Sequence, residues 1–581
     1  MTWWLLQHSR LQSEKLDLAV LEGDVDWLQV SCWQANSSLE MCVDFRISHG
    51  SRDFAFQMVY PSVFPDVPPM IYTEDHSRIS NHQYGPDGEL CLEHRPDNWM
   101  PTVTGADMIR SCQRLLSEEY VDSEREFHAR SAHENSLARD LRSKSFRLIL
   151  SKKGLEALNT IEDRTCIPLT INNNAIGSTY VASVKMIGRK EDPFWSEESL
   201  LPGEEQSEDV YALRLSGFQP TDVMTTDDLK NQFEACELHQ LVSDLVSVDE
   251  VIYLLVGDAD NWVLLIIFGK ITERKIMPYA TVLMPEDEHR LPTELQALAE
   301  KIVGIVGCGS VGSKVAASLC RSGVGKFLLI DEDVFFPGNA VRNELSLREV
   351  GAHKSYAVRQ RLQDLNPSCM VRALRLSLGG QESAKSMANA IEALGECDLL
   401  IDATASPVAF NLIASVATRR KKPMIWAEVY AGGVGGLVAR ARPDIDPVPL
   451  SARAQLETWY SDQDVDWVRA DKTAPYSAEG PQGQPLIAGD PEVSVIASHT
   501  SAFAVDILSR PDASSYPVSA YVIGLSSEWI FQEPFDTRPV ELMPDGDWGE
   551  KYDDLTADDY VRILQDHLPV TEDADENPTP Q

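Results

Sequence analysis

The sequence predicts a multidomain protein that combines α+β and α/β folds. Its 581 residues exceed the usual length of one domain. Apolar and polar residues alternate through residues 39–60, which is typical of antiparallel strands with one buried face. Residues 302–331 read as strand, glycine turn, helix and strand, the βαβ unit of nucleotide-binding α/β domains. We therefore expect domains at 1–145, 146–288 and 289–569, and a disordered acidic tail at 570–581.

The first predicted domain is an α+β unit. Leucines at positions 11, 16, 18 and 21 predict an amphipathic helix over residues 10–22. Three strands are predicted to follow, at Trp27–Trp33, Leu39–Ser48 and Arg52–Tyr60, as an antiparallel meander. A second helix over Gly105–Glu119 closes the unit.

Between the meander and the second helix lies a loop that carries Cys91. A stiff proline-rich turn, residues 64–69, precedes the loop segment Gly88-Glu-Leu-Cys91, and Trp99-Met-Pro101 follows it. In this order of elements the first 125 residues resemble a ubiquitin-conjugating enzyme. The resemblance implies that Cys91 carries an acyl group as a thioester and passes it to a lysine amine. A thiolate suits that role because it is both a good acyl acceptor and a good leaving group.

The cysteine loop departs from the family in one respect. The His-Pro-Asn triplet that normally precedes the cysteine is missing, and its Asn position is Gln83, next to His82. Either side chain offers a hydrogen bond to an oxyanion, His82 can also help to deprotonate a lysine, and a purely structural role is equally open. We interpret Cys32, Cys42 and Cys112 as core residues, and Cys308, in the glycine turn, as a packing residue.

The middle of the chain contains strand-like runs but no motif that indicates chemistry. The runs lie at 211–215, 251–256, 263–268 and 280–283, and an acidic, loop-like stretch at 191–209 interrupts them. We expect an α+β connecting domain with a structural or docking role.

The nucleotide-binding unit supplies the candidate phosphate and ribose contacts. The turn Gly307-x-Gly309-x-x-Gly312 allows the backbone to approach phosphate oxygens at the start of a helix. Asp331 ends the second strand, where a carboxylate can bind a ribose hydroxyl. Beyond it stand Asn339, Arg342 and Lys354, which a hydride-transfer site does not need but an ATP site uses.

These motifs, across residues 291–510, resemble the ThiF-type adenylyltransferases, the fold of ubiquitin-activating enzymes. The resemblance implies that ATP is the cofactor, that Gly307, Gly309, Gly312 and Asp331 bind the nucleotide, and that Asn339, Arg342 and Lys354 contact phosphates. It also implies a homodimer and a Mg²⁺ ion. The family usually holds Mg²⁺ with the second Asp of Asp-Cys-Thr-Asp-Asn, but this chain has Ala405 at that position. Asp402 is the nearest carboxylate and our candidate ligand for Mg²⁺, unless it only stabilises the turn.

Ubiquitin-activating enzymes also carry a cysteine in the crossover loop, here about residues 470–490. This chain has no cysteine after Cys397. The acyl group therefore passes directly to Cys91, or through a hydroxyl such as Ser477, or the cysteine has been replaced by engineering. A serine needs more activation than a thiol, which favours the first and third alternatives.

The charge of the chain limits its partners. Ninety acidic and 51 basic residues give a formal net charge of −39, which disfavours nucleic acid and anionic membranes as partners. No apolar run is long enough to span a membrane, and ten scattered cysteines without a C-x-x-C pair favour a reducing cytoplasm.

The leading hypothesis is a fusion that adenylates the C-terminus of a protein and transfers it to a lysine. The chain resembles bacterial fusions found in ubiquitin-like operons and beside nucleotidyltransferases of cyclic-oligonucleotide antiphage systems, so the activated protein would be a ubiquitin-like protein or a nucleotidyltransferase. The alternatives are a sulfur-carrier adenylyltransferase, an NAD-dependent oxidoreductase and a non-catalytic adaptor that uses both folds for binding.

Overall fold

A computed structural model describes residues 2–80, 82–84, 88–120, 141–142, 144–197, 206–218, 225–234, 250–270, 273–284, 291–463, 478–479, 485–550 and 555–568. The chain divides into two compact units, Met1–Ser143 and Lys144–Gln581. Among the described residues, none of the helices has both the length and the apolar character that crossing a membrane requires.

The described residues of unit 1 form a four-stranded antiparallel sheet, a two-stranded ribbon and three helices. The strands of the sheet run in the order β1-β2-β3-β4, and each pairs with the next. A two-stranded ribbon, β5 with β6, lies between the sheet and the last helix. The elements are α1 (Trp3–Leu6), α2 (His8–Asp24), β1 (Leu28–Ala35), β2 (Met41–His49), β3 (Arg52–Tyr60), β4 (Met70–Thr73), β5 (Gln83–Tyr84), β6 (Glu89–Leu90) and α3 (Gly105–Glu119).

The predicted alternation places the core on one face of this sheet. Val43 lies opposite Met58 and Phe45 opposite Phe56, and all four side chains are buried. Burying these aromatic and aliphatic side chains is the main stabilising contribution to such a unit. The predictions for β3 and α3 are confirmed residue for residue; a capping box between Thr104 and Asp107 defines the start of α3.

A buried carboxylate joins the helices of unit 1. Glu14 on α2 accepts hydrogen bonds from Tyr60 Oη at 3.0 Å and from the Gly105 backbone N–H at 2.7 Å, and it pairs with Arg10 at 2.8 Å. A Cβ at Gly105 would lie 2.0 Å from Tyr60 Oη, so only glycine allows α3 to begin there. Burial raises the pKa of Glu14, and the hydrogen bond from Gly105 and the charge of Arg10 oppose that rise.

One core prediction in unit 1 is wrong. Cys32 is exposed, whereas Cys42 and Cys112 are buried as expected. The register of β1 against β2 shifts between Val30 and Cys32, as in a β-bulge. The extra residue reverses the alternation of side chains, so Cys32 points away from the core.

Unit 2 begins with a nine-stranded mixed sheet. Its order is β14-β13-β12-β11-β8-β9-β7-β15, and β10 pairs with β9. The predicted runs at 211–215, 251–256, 263–268 and 280–283 all coincide largely with strands of this sheet. The elements are β7 (Phe146–Ser151), α4 (Lys152–Leu158), β8 (Cys166–Ile176), β9 (Thr179–Arg189), β10 (Asp192–Ser196), β11 (Gln206–Arg214), α5 (Thr226–Glu234), β12 (Ile252–Gly257), β13 (Val263–Phe268), β14 (Lys275–Pro278) and β15 (Ala280–Met284).

The stretch 191–209, expected to be a loop, is largely strand in its described residues. Asp192–Ser196 pairs with β9, and the first residues of β11 pair with β8. Acidic side chains here sit on exposed positions of paired strands, so charge alone did not indicate a loop.

The second sheet of unit 2 is the one that holds the glycine turn. Its order is β18-β17-β16-β19-β20-β21-β24-β25. The first five strands are parallel, and β21, β24 and β25 extend the sheet antiparallel. The strands are β16 (Ile302–Val306), β17 (Lys326–Ile330), β18 (Met370–Leu374), β19 (Leu399–Asp402), β20 (Met424–Val429), β21 (Gly435–Ala441), β24 (Ala520–Gly524) and β25 (Thr537–Val540); a separate ribbon pairs β22 (Ala478–Glu479) with β23 (Pro485–Leu486).

Helices cover both faces of this sheet, as expected for buried parallel strands. One core contains residues of α6, α7 and α11, and the other contains residues of α8, α9 and α10. A 3₁₀ helix, Thr293–Glu300, precedes β16. The helices are α6 (Ser310–Arg321), α7 (Lys354–Leu365), α8 (Ala384–Glu396), α9 (Pro407–Arg420), α10 (Pro449–Ser461), α11 (Asp490–Ser509) and α12 (Ala557–His567).

A buried ion pair fastens α11 to the antiparallel part of the sheet. Arg440 on β21 donates to Asp506 Oδ2 at 2.9 Å, and neither side chain is exposed to solvent. The guanidinium also donates to Ser514 Oγ at 2.8 Å and lies 4.7 Å from the centre of the Phe503 ring. Such a pair is tolerated because its remaining polar atoms are hydrogen-bonded.

Candidate functional site

The three predicted glycines serve different purposes in the turn between β16 and α6. Gly307 has φ +91°, a conformation that favours glycine, and a Cβ there would lie 2.7 Å from the Ala403 carbonyl oxygen. A Cβ at Gly312 would lie 1.8 Å from the Gly307 carbonyl oxygen. Around Gly309 there is open space within 4 Å of a Cβ. The first and third glycines thus permit packing within the protein, and the second leaves room above the helix N-terminus.

Asp331 connects the glycine turn to the second strand. Its Oδ2 accepts from the Cys308 N–H at 2.6 Å, and its Oδ1 accepts from the Asp333 N–H at 2.7 Å. Burial raises the pKa of Asp331, and the two backbone N–H groups and the charge of Lys354 oppose that rise. Each carboxylate oxygen can accept a second hydrogen bond, so the side chain retains capacity for a ribose hydroxyl.

Lys354 lies beside the same edge of the sheet, at the first residue of α7. Its Nζ is 2.8 Å from Asp333 Oδ2, and only 11 % of the side chain is exposed. The Lys354 backbone N–H donates to the Asp333 carbonyl at 2.8 Å. The lysine is therefore anchored at its backbone and paired at its ammonium, next to the residue that contacts Asp331.

Asn339 lies within a 3₁₀ helix, Pro337–Val341, and Arg342 directly follows it. Asn339 Oδ1 accepts from the Phe336 N–H at 2.9 Å, so it caps that turn. Arg342 Nη1 donates to the Ala488 carbonyl at 3.3 Å, just before α11. Arg342 is thus linked to the residues that immediately precede α11.

Asp402 is buried at the end of β19, beside the glycine turn. Its Oδ1 accepts from Thr404 twice, from the backbone N–H at 2.9 Å and from Oγ1 at 2.7 Å. Burial raises the pKa of Asp402, and both Thr404 bonds lower it. The Asp402 side chain therefore stabilises its turn, which is the structural alternative considered above. Both of these hydrogen bonds end on Oδ1.

Ala405 occupies the position where the predicted family has its metal-binding Asp. Its φ of +55° is left-handed, a conformation that costs a residue with a Cβ about 1–2 kcal/mol and that Asp and Asn tolerate better. Within the described part of the chain, no three His, Cys, Asp or Glu side chains form a metal-binding group. The protein carboxylate available to a metal near this turn is Asp402.

The ends of β16, β17 and β19 thus bring Gly307, Asp331, Lys354 and Asp402 to one edge of the sheet. Two further residues that no sequence motif indicated also lie there. Asn343 is buried and donates to the Cys308 carbonyl at 3.3 Å, and Lys314 Nζ pairs with Asp490 Oδ1 at 2.7 Å. Their signal was weak, since each stands one or two residues beyond a motif position.

The glycines after β20 pack against the protein itself. A Cβ at Gly435 would lie 2.3 Å from the Ile523 carbonyl oxygen, and one at Gly436 would lie 2.5 Å from the Glu428 carbonyl oxygen. Both residues belong to β21. These two glycines thus allow the close packing of β21 against its neighbouring strands.

In unit 1, Cys91 is half-buried and its sulfur contacts a cation. Arg95 Nη1 donates to Cys91 Sγ at 3.1 Å, and the Cys91 N–H donates to the His82 carbonyl at 2.7 Å. Arg95 is 7 % exposed. No motif identified Arg95 in the sequence, because its contact depends on how residues 91–98 turn back.

The Gln83 side chain forms four hydrogen bonds to the backbone near Cys91. Its Oε1 accepts from the Ile79 N–H at 2.7 Å and the Ser80 N–H at 3.0 Å. Its Nε2 donates to the Gly88 carbonyl at 2.7 Å and the Ser77 carbonyl at 3.3 Å. Both amide hydrogens are therefore engaged, which favours the structural role over the oxyanion role for this side chain.

Two further predictions concern cysteine and serine. Cys308 is buried, and burial raises the pKa of its thiol well above the ordinary value, so it is a packing residue as expected. Ser477, the predicted relay, and the tail at 570–581 lie outside the described residues.

Comparison with known proteins gives a family match for the part of the second sheet that ends at β21. Residues 283–447 match the model of the ThiF family. A stretch of 163 residues is 31 % identical to the protein y4oA of Sinorhizobium fredii and covers 26 % of this chain and 27 % of that one. A stretch of 137 residues is 31 % identical to "ATP-dependent ubiquitin transferase-like protein Cap2" of Pseudomonas aeruginosa and covers 22 % of this chain and 23 % of that one.

The chain therefore spans about a quarter of the length of these curated relatives. Among solved structures, E. coli MccB with ATP aligns with 43 % of this chain and 66 % of its own, at 17 % identity and a TM-score of 0.33. The prediction of a ThiF-type adenylyltransferase domain is confirmed for residues 283–447.

Proposed function

We propose, from the premise that residues 283–447 form a ThiF-family domain, that this chain activates the C-terminal carboxylate of a protein with ATP and conjugates it through Cys91 to a lysine. The observation that carries the proposal is the edge of the second sheet, where the glycine turn, Asp331 and Lys354 are held together by direct hydrogen bonds and an ion pair. That set offers backbone N–H groups, a carboxylate and an ammonium, which a nucleoside triphosphate needs.

ATP would lie with its phosphates at the N-terminus of α6, in the open space above Gly309, and its ribose at Asp331. Arg342 and Lys354 would stabilise the charge that builds on the phosphates as pyrophosphate leaves, and Asn339 would contact them from its turn. For Lys354 this requires partial release from Asp333, and for Arg342 release from the Ala488 carbonyl. Asp333, the partner of Lys354, is 61 % exposed, and the bond of Arg342 is long at 3.3 Å, so both contacts can be exchanged for charge-assisted phosphate contacts.

Mg²⁺ would be held by Asp402 together with phosphate oxygens. One carboxylate is sufficient for that arrangement, since Mg²⁺ in nucleotide sites keeps several waters and takes its other ligands from phosphate. The ion would neutralise phosphate charge. The buried carboxylate of Asp402 fits such a role because it already lies next to the glycine turn.

The proposed reaction has three steps: activation of the carboxylate, formation of a thioester and transfer to an amine. The partner's carboxylate attacks the α-phosphorus of ATP; the O–P bond forms and pyrophosphate leaves with the electron pair. The Cys91 thiolate then attacks the acyl carbon, the C–S bond forms, and AMP leaves. Finally a lysine amine attacks the thioester, the C–N bond forms, the thiolate leaves and the amine releases a proton to solvent. Direct transfer to Cys91 needs no cysteine after Cys397.

The proposed partners follow from the same chemistry. The activated protein would be a ubiquitin-like protein or a nucleotidyltransferase, and the acceptor a lysine of a target protein. The name of the Cap2 relative, a ubiquitin transferase-like protein that depends on ATP, supports this class of reaction. We further propose that the chain acts in the cytoplasm, in bacterial defence against phage, as a homodimer through its nucleotide domains.

The test combines an exchange assay with intact-mass measurement. The chain is co-expressed with the proteins encoded beside it, and ATP–pyrophosphate exchange is measured for wild type and Lys354→Ala. Intact masses are measured for Cys91→Ser, with Cys32→Ser as a matched control, since Cys32 is an exposed cysteine of the same unit. We expect an ATP-dependent protein adduct at position 91 that persists in Cys32→Ser and disappears with Lys354→Ala. An adduct elsewhere, such as at Ser477, would replace direct transfer by a relay.

A non-catalytic adaptor is the second candidate, and one observation favours it. The position expected to bind metal is Ala405, and Asp402 is engaged by Thr404. Absence of exchange with every neighbouring protein, together with tight binding of one of them, would establish the adaptor. A sulfur-carrier adenylyltransferase would instead show exchange without any adduct at Cys91.

A further inference from the structure

Arg95 is a buried cation that points at the sulfur of Cys91. Its Nη1 lies 3.1 Å from Cys91 Sγ, within hydrogen-bonding distance, and the residue is only 7 % exposed to solvent. Asp97 pairs with it at 3.7 Å from Nε, and this carboxylate is largely exposed. A buried guanidinium needs negative charge or strong acceptors nearby, and the cysteine sulfur is one of the groups it faces.

The turn that follows Cys91 fixes this contact. The Arg95 N–H donates to Asn98 Oδ1 at 2.7 Å, and Asn98 Nδ2 donates to the Glu93 carbonyl at 2.7 Å. Leu90 and Leu92, on either side of the cysteine, are buried. The backbone before and after Cys91 is therefore anchored. The hydrogen bonds of the turn set the position of the Arg95 backbone relative to the cysteine.

We propose that Arg95 is a catalytic residue of the cysteine site: its guanidinium stabilises the Cys91 thiolate that accepts the acyl group and the thiolate that leaves when the lysine amine attacks. This inference rests on the proposed function for its physiological meaning. The thiol proton goes to solvent before attack, the C–S bond forms as AMP leaves, and in the second step the sulfur takes back the electron pair of that bond beside the guanidinium. A cation next to a thiol favours the anion, which is the nucleophile and the leaving group in these steps.

Unit 1 supplies an internal comparison in Cys32. That cysteine is exposed, but its thiol donates to Asp44 Oδ2 at 3.4 Å, and this hydrogen bond raises the pKa of Cys32. The two cysteines therefore have opposite electrostatic neighbours, a carboxylate for Cys32 and a guanidinium for Cys91. Exposure alone predicts that Cys32 reacts faster with an alkylating agent, whereas the charges predict that Cys91 does.

The experiment measures alkylation of the full chain by iodoacetamide at neutral pH, without ATP or partner, and quantifies Cys91 and Cys32 separately by peptide mass spectrometry. In wild type we expect Cys91 to react faster than Cys32. In Arg95→Met the rate at Cys91 should fall about tenfold while the rate at Cys32 stays constant. Arg95→Lys should retain most of the rate at Cys91. Arg110→Met is the matched control, since Arg110 is an exposed arginine of α3.

The pH profile distinguishes electrostatics from packing. If Arg95 stabilises the thiolate, the rate profile of Cys91 shifts to higher pH in Arg95→Met and the rate at high pH is unchanged; a packing defect would change the high-pH rate instead. A wild-type Cys91 that reacts more slowly than Cys32 at neutral pH overturns the inference even if Arg95→Met does not fold, and so does an unshifted profile. Failure of wild type to exchange pyrophosphate, with Cys91 still the faster cysteine, would overturn the proposed function and leave the thiolate stabilisation standing.

Discussion

Two alanine substitutions in the glycine turn should separate folding from nucleotide binding. In Gly312→Ala the new Cβ would lie 1.8 Å from the Gly307 carbonyl oxygen, more than 1 Å closer than the 3.0 Å below which real Cβ contacts essentially do not occur. The nearest atom belongs to the backbone, so relief requires α6 to move away from β16. Overpacking of this kind costs about 1–3 kcal/mol or more.

Gly309→Ala should behave in the opposite way. A Cβ at Gly309 meets nothing within 4 Å, and the residue has φ −74°, which alanine adopts readily. Alanine is a poorer N-cap than glycine, but it also lowers the entropy of the unfolded chain, so the net change in unfolding free energy should be within about 0.5 kcal/mol of zero. The methyl group would instead occupy the space that we assign to the phosphates, and we expect at least a tenfold loss of ATP affinity.

The assay is thermal unfolding of both variants with and without Mg²⁺ and ATP. Gly312→Ala should melt several degrees below wild type in the absence of nucleotide. Gly309→Ala should melt with wild type in its absence and lose the upward shift that ligand binding produces. Wild-type ATP stabilisation in Gly309→Ala, or wild-type melting of Gly312→Ala, would refute the assignment of the two glycines.

Three other substitutions test the rest of unit 2. Lys354→Ala should reduce ATP–pyrophosphate exchange about a hundredfold without unfolding the protein, measured by exchange and circular dichroism, because it removes one cation from the phosphate site. Asp402→Asn should make the nucleotide-free protein more stable at neutral pH. Burial raises the pKa of Asp402. At a pH above that pKa, the folded protein is destabilised by a buried negative charge, and protonation of the carboxylate removes this destabilisation as the pH falls. Melting curves of wild type and Asp402→Asn should therefore converge in acid, and the amide still accepts from Thr404. Arg440→Met should lower the unfolding free energy by about 1–3 kcal/mol in denaturant titrations, since buried Asp506 loses its buried cation and keeps Arg510 as its remaining ion-pair partner.

The sequence predicted the elements that depend on local patterns. Strand Arg52–Tyr60 followed from strict alternation, and helix Gly105–Glu119 from its apolar spacing. Strand β10 was missed because it is short, begins with an acidic residue and a proline, and lies in a stretch rich in acidic residues. The exposure of Cys32 was missed because a single shift of register reverses the side chains that follow it, and nothing in the sequence marks that shift.

The candidate site divides in the same way. The glycine turn and Asp331 were predicted because a nucleotide-binding turn imposes a fixed spacing on adjacent residues. The link from Arg342 to Ala488 joins positions 146 residues apart, and it depends on how α11 returns to the sheet. The contact between Arg95 and Cys91 is short in sequence, but it exists only because Asn98 bends the chain back. Neither contact follows from the local pattern of residues, because each depends on how the chain folds back on itself.

The hydrogen bonds of Gln83 make the cysteine loop sensitive to a slow covalent change. Deamidation would turn its amide into a carboxylate, which has no hydrogen to donate and would face the carbonyl oxygens of Gly88 and Ser77. In a residue that is 8 % exposed, such a clash costs more than the loss of a hydrogen bond. Molecules in which Gln83 has become a glutamate would therefore hold the loop before Cys91 less firmly, so an intact-mass check for that one-dalton change belongs beside any measurement of the thiol.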